Sequence, residues 1–372
     1  MSLSKKRPTL LRFILCLFIG LLIGGAILMA LQSWYEQTVG KSIFREPFFL
    51  LAGGVALLVA LMLFFPARKP WWLFKWLLRL VIMAVLVVLV FGVGGFWLAQ
   101  NDMLYQPGRQ EQNAQAALQQ EPRAEEISFT DAQGARLQGW MFKQQPDPAG
   151  LVLYFGGNGE LAAGRVHALV RSQVDQLLSG YHLMMVDYPG YGQSAGEPEE
   201  ATVLAMAQAA LDYARTREDV LADRIVLAGW SLGTGPATQL AANNEVAGLI
   251  LMSPFYNGRE LVNHYLQHTF QLPDAFYTRV PGFLVRNKYP SDQFARQTTT
   301  PALIIAGRAD VLVPYAQSER LSVQYSQGLL VELAGGHTAP WSDPLSAQAM
   351  AEFLAAITAG EVEQPPPALT LP

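Results

Sequence analysis

The chain of 372 residues is poor in cysteine, histidine and charge. Its one cysteine, Cys16, sits inside an apolar run. A single thiol builds neither an intrachain disulfide nor a cysteine metal site, so the redox compartment stays open. Charged residues make up 15% of the chain against 51% hydrophobic ones, whereas soluble domains carry about 25% charge. The deficit falls in the first hundred residues, and the remainder has the balance of an ordinary globular domain. Net charge is −4. No basic block follows the apolar region, which argues against a nucleic-acid partner. With five histidines in all, any imidazole chemistry has few candidates.

What the first hundred residues have instead is three long apolar runs, at about 10–31, 48–65 and 77–98. At about 1.5 Å per residue, each is long enough for a hydrocarbon core about 30 Å thick. The first is too long for the apolar part of a signal peptide, and no small-residue cleavage site follows it before Trp34. Lys5, Lys6, Arg7 and Arg12 flank the first run, and Arg68, Lys69, Lys75 and Arg79 separate the second from the third. Only Lys41 and Arg45 lie between the first and second. The charge bias predicts a cytoplasmic N-terminus and places everything after Ala99 on the outer side. In a Gram-negative source that is the inner membrane, with the following domain in the periplasm. Trp71, Trp72, Trp76 and Trp97 suit the interfaces, and Gly20-x-x-x-Gly24 is a weak helix-pairing signal.

Residues 1–99 thus read as a membrane region and 100–124 as a polar, Gln-rich stem with a short helix near Ala114 to Gln120. From about residue 125 to 358 a regular alternation runs. "EEISFT" and "RLQGWMFK" read as two strands around a turn at Asp131 to Gly134. Further strands are "LVLYF", "YHLMMVD", "RIVLAG", "AGLILMSP", "PALIIAG" and "GLLVEL". Helical patterns separate them: one running to about Leu178, one over 199–217, one after Ser231, one from Tyr315 to Tyr325 and one from Pro344 to Ile357. A hairpin followed by strand–helix units predicts an α/β fold with a mostly parallel sheet and helices on both faces. Residues 256–300 break the alternation and are rich in Tyr and Phe. They read as a helical cap over the carboxyl ends of the strands. Residues 359–372 read as a disordered tail.

The pattern Gly-x-Ser-x-Gly occurs twice, at Gly192–Gly196 and Gly229–Gly233. Ser194 belongs to a loop containing Pro189 and Pro198. Ser231 follows an uninterrupted apolar strand and precedes a helix, with Pro236 tolerated in its first turn. A serine on that turn is placed as a nucleophile, and its flanking glycines remove side chains that would crowd it. A serine nucleophile needs a base, and the base an orienting acid. His167 falls in a helix and His182 opens a strand. His264 and His268 stand one helical turn apart in the cap, without the glutamate of a zinc-protease motif. They read as cap surface, and neither a metal nor an organic cofactor is expected. His337, on the loop after the last strand, is positioned to be the base. For the acid, Asp310 follows an earlier strand end, with Asp187 and Asp343 as alternatives. An oxyanion needs two preset N–H donors. Leu232 offers one, and the loop "GGNGE" after "LVLYF" the other.

Together "GWSLGTG", "DYPGYGQSAGEP", "GRADVLVP", "GGHT" and "FTDAQGARLQGWMF" resemble membrane-anchored α/β-hydrolases of the lysophospholipase-like or serine-aminopeptidase-like branch. The resemblance covers about residues 100–358. It implies Ser231, Asp310 and His337 as the catalytic triad, and it assigns the second oxyanion N–H to Asn158. In that branch a His-Gly-Asn sequence usually stands where this chain has Gly156-Gly157-Asn158. The chain also departs in having three apolar runs where many relatives carry one anchor helix. The expected activity is hydrolysis of carboxylic esters of acyl or lipid-like substrates at a bilayer. An amidase or peptidase on the same fold and a non-catalytic membrane scaffold are the alternatives. Substrate identity and oligomeric state are not legible.

Overall fold

The computed structural model describes residues 72–108, 111–144, 147–172, 177–270 and 280–361. The first two apolar runs and the tail beyond residue 361 lie outside the described residues. The chain divides into two units, Met1–Met103 and Leu104–Pro372.

In the first unit, helix α1 covers Trp72–Leu104. Its stretch Leu78–Leu104 contains an 18-residue window with a mean hydropathy of 2.7 and is, among the described residues, the one helix long and apolar enough to cross a membrane. The helix starts earlier and ends later than the expected 77–98. Nothing in Gln100-Asn101-Asp102 stops it, and the first strong breaker downstream is Pro107.

The stem is also more ordered than its composition suggests. Tyr105 is 1% exposed, and its hydroxyl lies 2.6 Å from that of Tyr289. Helix α2, Gln112–Leu118, begins two residues before the expected start and buries Ala114 and Leu118, four apart and therefore on one face.

An eight-stranded sheet forms the second unit: β1 (Ala124–Thr130), β2 (Arg136–Phe142), β3 (Ala149–Phe155), β4 (Tyr181–Val186), β5 (Val220–Trp230), β6 (Gly248–Met252), β7 (Ala302–Gly307) and β8 (Gly328–Leu333). Their spatial order is β1-β2-β4-β3-β5-β6-β7-β8. β1 and β2 pair antiparallel, as do β2 and β4; the remaining neighbours are parallel. Burial separates edge from centre. β3, β4, β6 and β7 are buried at every residue, which is why they read as unbroken apolar runs. β8, at the edge, alternates buried and half-buried residues, as a strand covered on one face does.

Alternate residues feed two cores. Leu151, Leu153, Leu227, Leu251 and Ile304 belong to one, and Val152, Tyr154, Val226, Ile250 and Ile305 to the other. Helices α4 (Glu200–Arg215) and α5 (Thr234–Asn243) contribute Met206, Leu211 and Leu240 to the first core. Helices α3 (Ala162–Arg171) and, at the chain's end, α10 (Pro344–Ala359) contribute Val166 and Phe353 to the second. α3 stops at Arg171, short of the expected Leu178, and residues 177–180 form a turn before β4. α10 ends on Gly360, whose φ of 69° gives a left-handed stop.

Between β6 and β7 lie α6 (Gly258–Phe270), a short 3-10 turn at Gly282–Leu284 and α7 (Ser291–Ala295). After β7 come α8 (Tyr315–Ser322) and α9 (Ala339–Ser342). α6 reaches the loop that follows β7, where His264 Nε2 lies 2.8 Å from the Val311 carbonyl oxygen. The segment expected to cap the strand ends therefore touches the carboxyl-end loops. β3 has β4 on one side and β5 on the other, so the chain reverses its direction of travel through the sheet at β3. The crevice beyond the strand ends at such a point is where open α/β sheets bind ligands. Phe155 pairs with Gly229, so β3 and β5 deliver their following loops to the same level.

Candidate active site

β5 ends at Trp230, and the next residue, Ser231, has φ +52°. Left-handed backbone is rare for a residue with a side chain and marks strain at functional turns. The turn is tight on both sides of the serine. A Cβ on Gly229 would stand 2.4 Å from the Gly233 carbonyl oxygen, and one on Gly233 would stand 2.0 Å from that of Phe155. Only glycine permits either approach. The turn thus rests directly on the end of β3, and α5 departs from it at Thr234, whose hydroxyl donates to the Ser231 carbonyl at 2.6 Å.

The structure brings Ser231, His337 and Asp310 together from three loops. His337 Nε2 lies 2.9 Å from Ser231 Oγ, and His337 Nδ1 lies 2.7 Å from Asp310 Oδ2. The Asp310 side chain is 2% exposed and that of His337 is 12% exposed. The other Asp310 oxygen accepts the N–H groups of Leu312 and Val313, each at 2.9 Å. An ionised carboxylate only accepts hydrogen bonds, so the imidazole proton sits on Nδ1 and Nε2 presents its lone pair to the serine hydroxyl.

Two residues that sequence reasoning missed hold the imidazole's backbone. Trp230 Nε1 and Ser253 Oγ both donate to the His337 carbonyl at 3.2 Å. Trp230 also packs against the imidazole, with the two rings tilted by 35° and their centroids 5.4 Å apart. Ser253 is fully buried and has φ +49°. Nothing in the local pattern "LMSPF" marks that serine. Its partner is 84 positions away and becomes visible only once β6 and the last loop are adjacent.

The loop after β3 is held at three points. Tyr188 donates to the Gly156 carbonyl at 2.6 Å. The Gly157 N–H donates to Glu160 Oε2 at 2.9 Å, so that N–H is already spent. The Asn158 side-chain oxygen accepts the Gln106 N–H at 2.8 Å and the Tyr191 hydroxyl at 3.2 Å. The Asn158 N–H has no acceptor among the described residues. Leu232, the other expected donor, lies in the 3-10 turn Ser231–Gly233 that leads into α5.

The remaining candidates have other partners. Ser194 Oγ accepts the Gln138 N–H at 3.0 Å within a buried loop. Asp343 caps α10 through the Leu345 N–H at 3.0 Å, and Asp187 accepts the Ala162 N–H of α3 at 2.7 Å. His182 is fully buried; it accepts the Gln144 N–H at 2.9 Å, and its Nε2 lies 3.0 Å from the Asp219 carbonyl. The side chain of His268 lies outside the described residues.

Comparisons with known proteins bear on the fold and the family. A family model described as alpha/beta hydrolase fold matches residues 150–291, and one described as serine hydrolase matches residues 241–349. The uncharacterized protein Rv2307c of Mycobacterium tuberculosis H37Rv is 31% identical over 247 residues, covering 65% of this chain and 81% of its own. The chain belongs to the α/β-hydrolase family. YfhR of Escherichia coli K12, another uncharacterized relative, is 30% identical over 207 residues, 53% of this chain and 67% of YfhR. Among solved structures, the esterase Pf2001 of Pyrococcus furiosus superposes with a TM-score of 0.51 at 17% identity, covering 67% of this chain and 98% of that one. That likeness speaks to the fold alone.

Asp187, at the carboxyl end of β4, supplies a pH dependence. Burial raises its pKa to about 6 from 3.8, only partly offset by the Ala162 N–H, with Glu111 pushing the same way. Between about pH 4 and 6 the folded chain therefore holds a proton that the unfolded chain has released. Its contribution to stability falls as pH rises through that window, by on the order of 2 to 3 kcal/mol, and is flat above it. Asp187→Asn keeps an oxygen for the Ala162 N–H and cannot ionise. Thermal melts across pH 4 to 7 should show the variant gaining on the wild type as pH rises, with a constant difference above about pH 6.5. Parallel stability curves would refute this assignment.

Proposed function

We propose that this α/β-hydrolase is a membrane-bound serine esterase that works through an acyl-enzyme. The observation that carries the proposal is the continuous chain from Ser231 Oγ through His337 to Asp310, at 2.9 and 2.7 Å, with the serine on a strained turn. Ser231 Oγ attacks the ester carbonyl carbon while its proton passes to His337 Nε2. Asp310 keeps the imidazole oriented and stabilises its positive charge. The carbonyl oxygen becomes an oxyanion, and the N–H groups of Leu232 and Asn158 receive it. Collapse breaks the bond to the alcohol, which leaves with the proton from His337. Water then repeats the sequence at the acyl carbon and releases the acid and free Ser231.

Ester is favoured over amide by the acidic groups near the cap. An aminopeptidase would need an unengaged carboxylate for the substrate's terminal amine. Glu260 instead faces Arg320 at 3.7 Å, and Asp292 accepts from Asn257 at 3.2 Å; Asp274 lies outside the described residues. The aromatic content of residues 256–300 and the apolar helix that precedes the domain in sequence support an acyl-chain or lysolipid-like substrate. The span Leu78–Leu104 and the Lys/Arg bias support a domain outside the cytoplasm.

A fluorophosphonate probe should label the wild type and not Ser231→Ala, and p-nitrophenyl ester turnover should fall at least about 10³-fold in the variant. Equal labelling of the two would end the esterase reading. For topology, alkaline phosphatase fused after Pro372 should be active and a cytoplasm-dependent fluorescent protein dark; the reverse pattern inverts the orientation.

A further inference from the structure

Glu160 lies two residues beyond Asn158, and the serine–histidine–aspartate chemistry makes no use of it. Its side chain is 11% exposed and faces Arg165, itself 18% exposed. One carboxylate oxygen accepts the Gly157 N–H at 2.9 Å and the Tyr154 hydroxyl at 2.7 Å. The other accepts Arg165 Nε and Nη2. The carboxylate also fills the space beside Gly156, where a Cβ would stand 3.0 Å from Oε2 and 3.2 Å from the Glu160 Cβ. The arrangement continues behind the imidazole. The Arg165 guanidinium lies 4.0 Å from the centre of the Trp341 ring and 5.7 Å from that of Trp230. Trp230 is the residue that packs against the His337 ring and holds its carbonyl.

Two physical consequences follow. Binding the Gly157 N–H fixes the Gly156–Gly157 peptide. The Gly157 carbonyl, in the peptide that carries the Asn158 N–H, accepts the Glu160 N–H at 3.2 Å, so Glu160 presets the Asn158 donor from both sides of Gly157. An oxyanion donor is effective only when it needs no reorganisation as charge develops. A bare carboxylate this close to a developing oxyanion would also repel it. Arg165 cancels that charge in a setting where water screens weakly. The pair therefore orients the loop and keeps the local field neutral.

We propose that Glu160 is a positioning residue for the oxyanion donor of Asn158, and that Arg165 is required to neutralise it. This rests on the esterase reading above. The purified full chain is assayed for kcat and KM on a p-nitrophenyl ester and for inhibition by a trifluoromethyl ketone, whose hemiketal carries the oxyanion. Glu160→Ala should lower kcat about 10²-fold with KM within about twofold, since misplacement by about 1 Å costs that much. Its ketone inhibition constant should rise in proportion to the loss of kcat/KM. Arg165→Met, which leaves the carboxylate uncompensated, should be impaired at least as much, and Glu160→Gln added to it should restore about tenfold or more. Because removing the unpaired buried charge also restores stability, every variant is scored as kcat per active site titrated with a fluorophosphonate and by its ketone inhibition constant, both of which a structural role alone leaves at the wild-type value.

Wild-type kcat in Glu160→Ala overturns the proposal, as does a fall in kcat with unchanged ketone affinity. If Glu160→Ala does not fold, the Arg165→Met and double-variant pair decides, and absence of rescue overturns it. The parent reading is judged separately: wild-type turnover that vanishes in Ser231→Ala sustains it whatever Glu160 does, and its failure removes both.

Discussion

The site depends on one close approach of backbone to backbone. Gly233 passes over the end of β3 so tightly that a Cβ there would meet the Phe155 carbonyl at 2.0 Å and that of Gly156 at 2.7 Å. That contact places the turn carrying Ser231 against the loop carrying Asn158. A nucleophile and its oxyanion donors must be within a few tenths of an ångström of their working positions before substrate arrives. Here the sheet register enforces that: Phe155 pairs with Gly229, so the two loops emerge level. The cost is the left-handed backbone at Ser231, which the flanking glycines and the packed start of α5 sustain.

Around that contact the molecule invests in holding loops still. His337 is fixed through its side chain by Asp310 and through its carbonyl by Trp230 and Ser253. The loop after β3 is fixed at Gly156, Gly157 and Asn158 by Tyr188, Glu160, Tyr191 and the Gln106 backbone. The last of these ties the segment following α1 to the loop that carries the proposed oxyanion donor. Tyr105, beside it, is locked into the core through Tyr289. Glu200 in turn accepts the N–H groups of Lys288 and Tyr289, so the end of the cap segment is fastened to the start of α4.

Strands β3, β4, β6 and β7 were legible in the sequence because they are buried at every residue and so are almost wholly apolar, and β1 and β2 were legible from the turn between them. Ser231 was legible for a local reason: strand, glycine, serine, glycine and helix occur in sequence. His337 and Asp310 were legible because each follows a strand end and so reaches the same edge. Other features were not. Glu160, Arg165 and Trp341 interact across 181 positions between the first and the last, and nothing in their local patterns indicates a shared layer. Tyr105 looked like part of a polar stem, since its partner Tyr289 lies 184 positions away. The end of α3 was misjudged because "ALVRSQVDQLL" keeps a helical apolar rhythm past Arg171. The second Gly-x-Ser-x-Gly copy shows the limit of motif reading. Ser194 shares the letters, but its hydroxyl is spent on the backbone of Gln138.

The most direct test is a high-resolution structure of the wild-type protein after reaction with an alkyl phosphonate. The account predicts phosphorus bonded to Ser231 Oγ, and the phosphoryl oxygen within about 3.2 Å of both the Leu232 and Asn158 nitrogens. An adduct on any other side chain, or a phosphoryl oxygen turned away from both nitrogens, would contradict it.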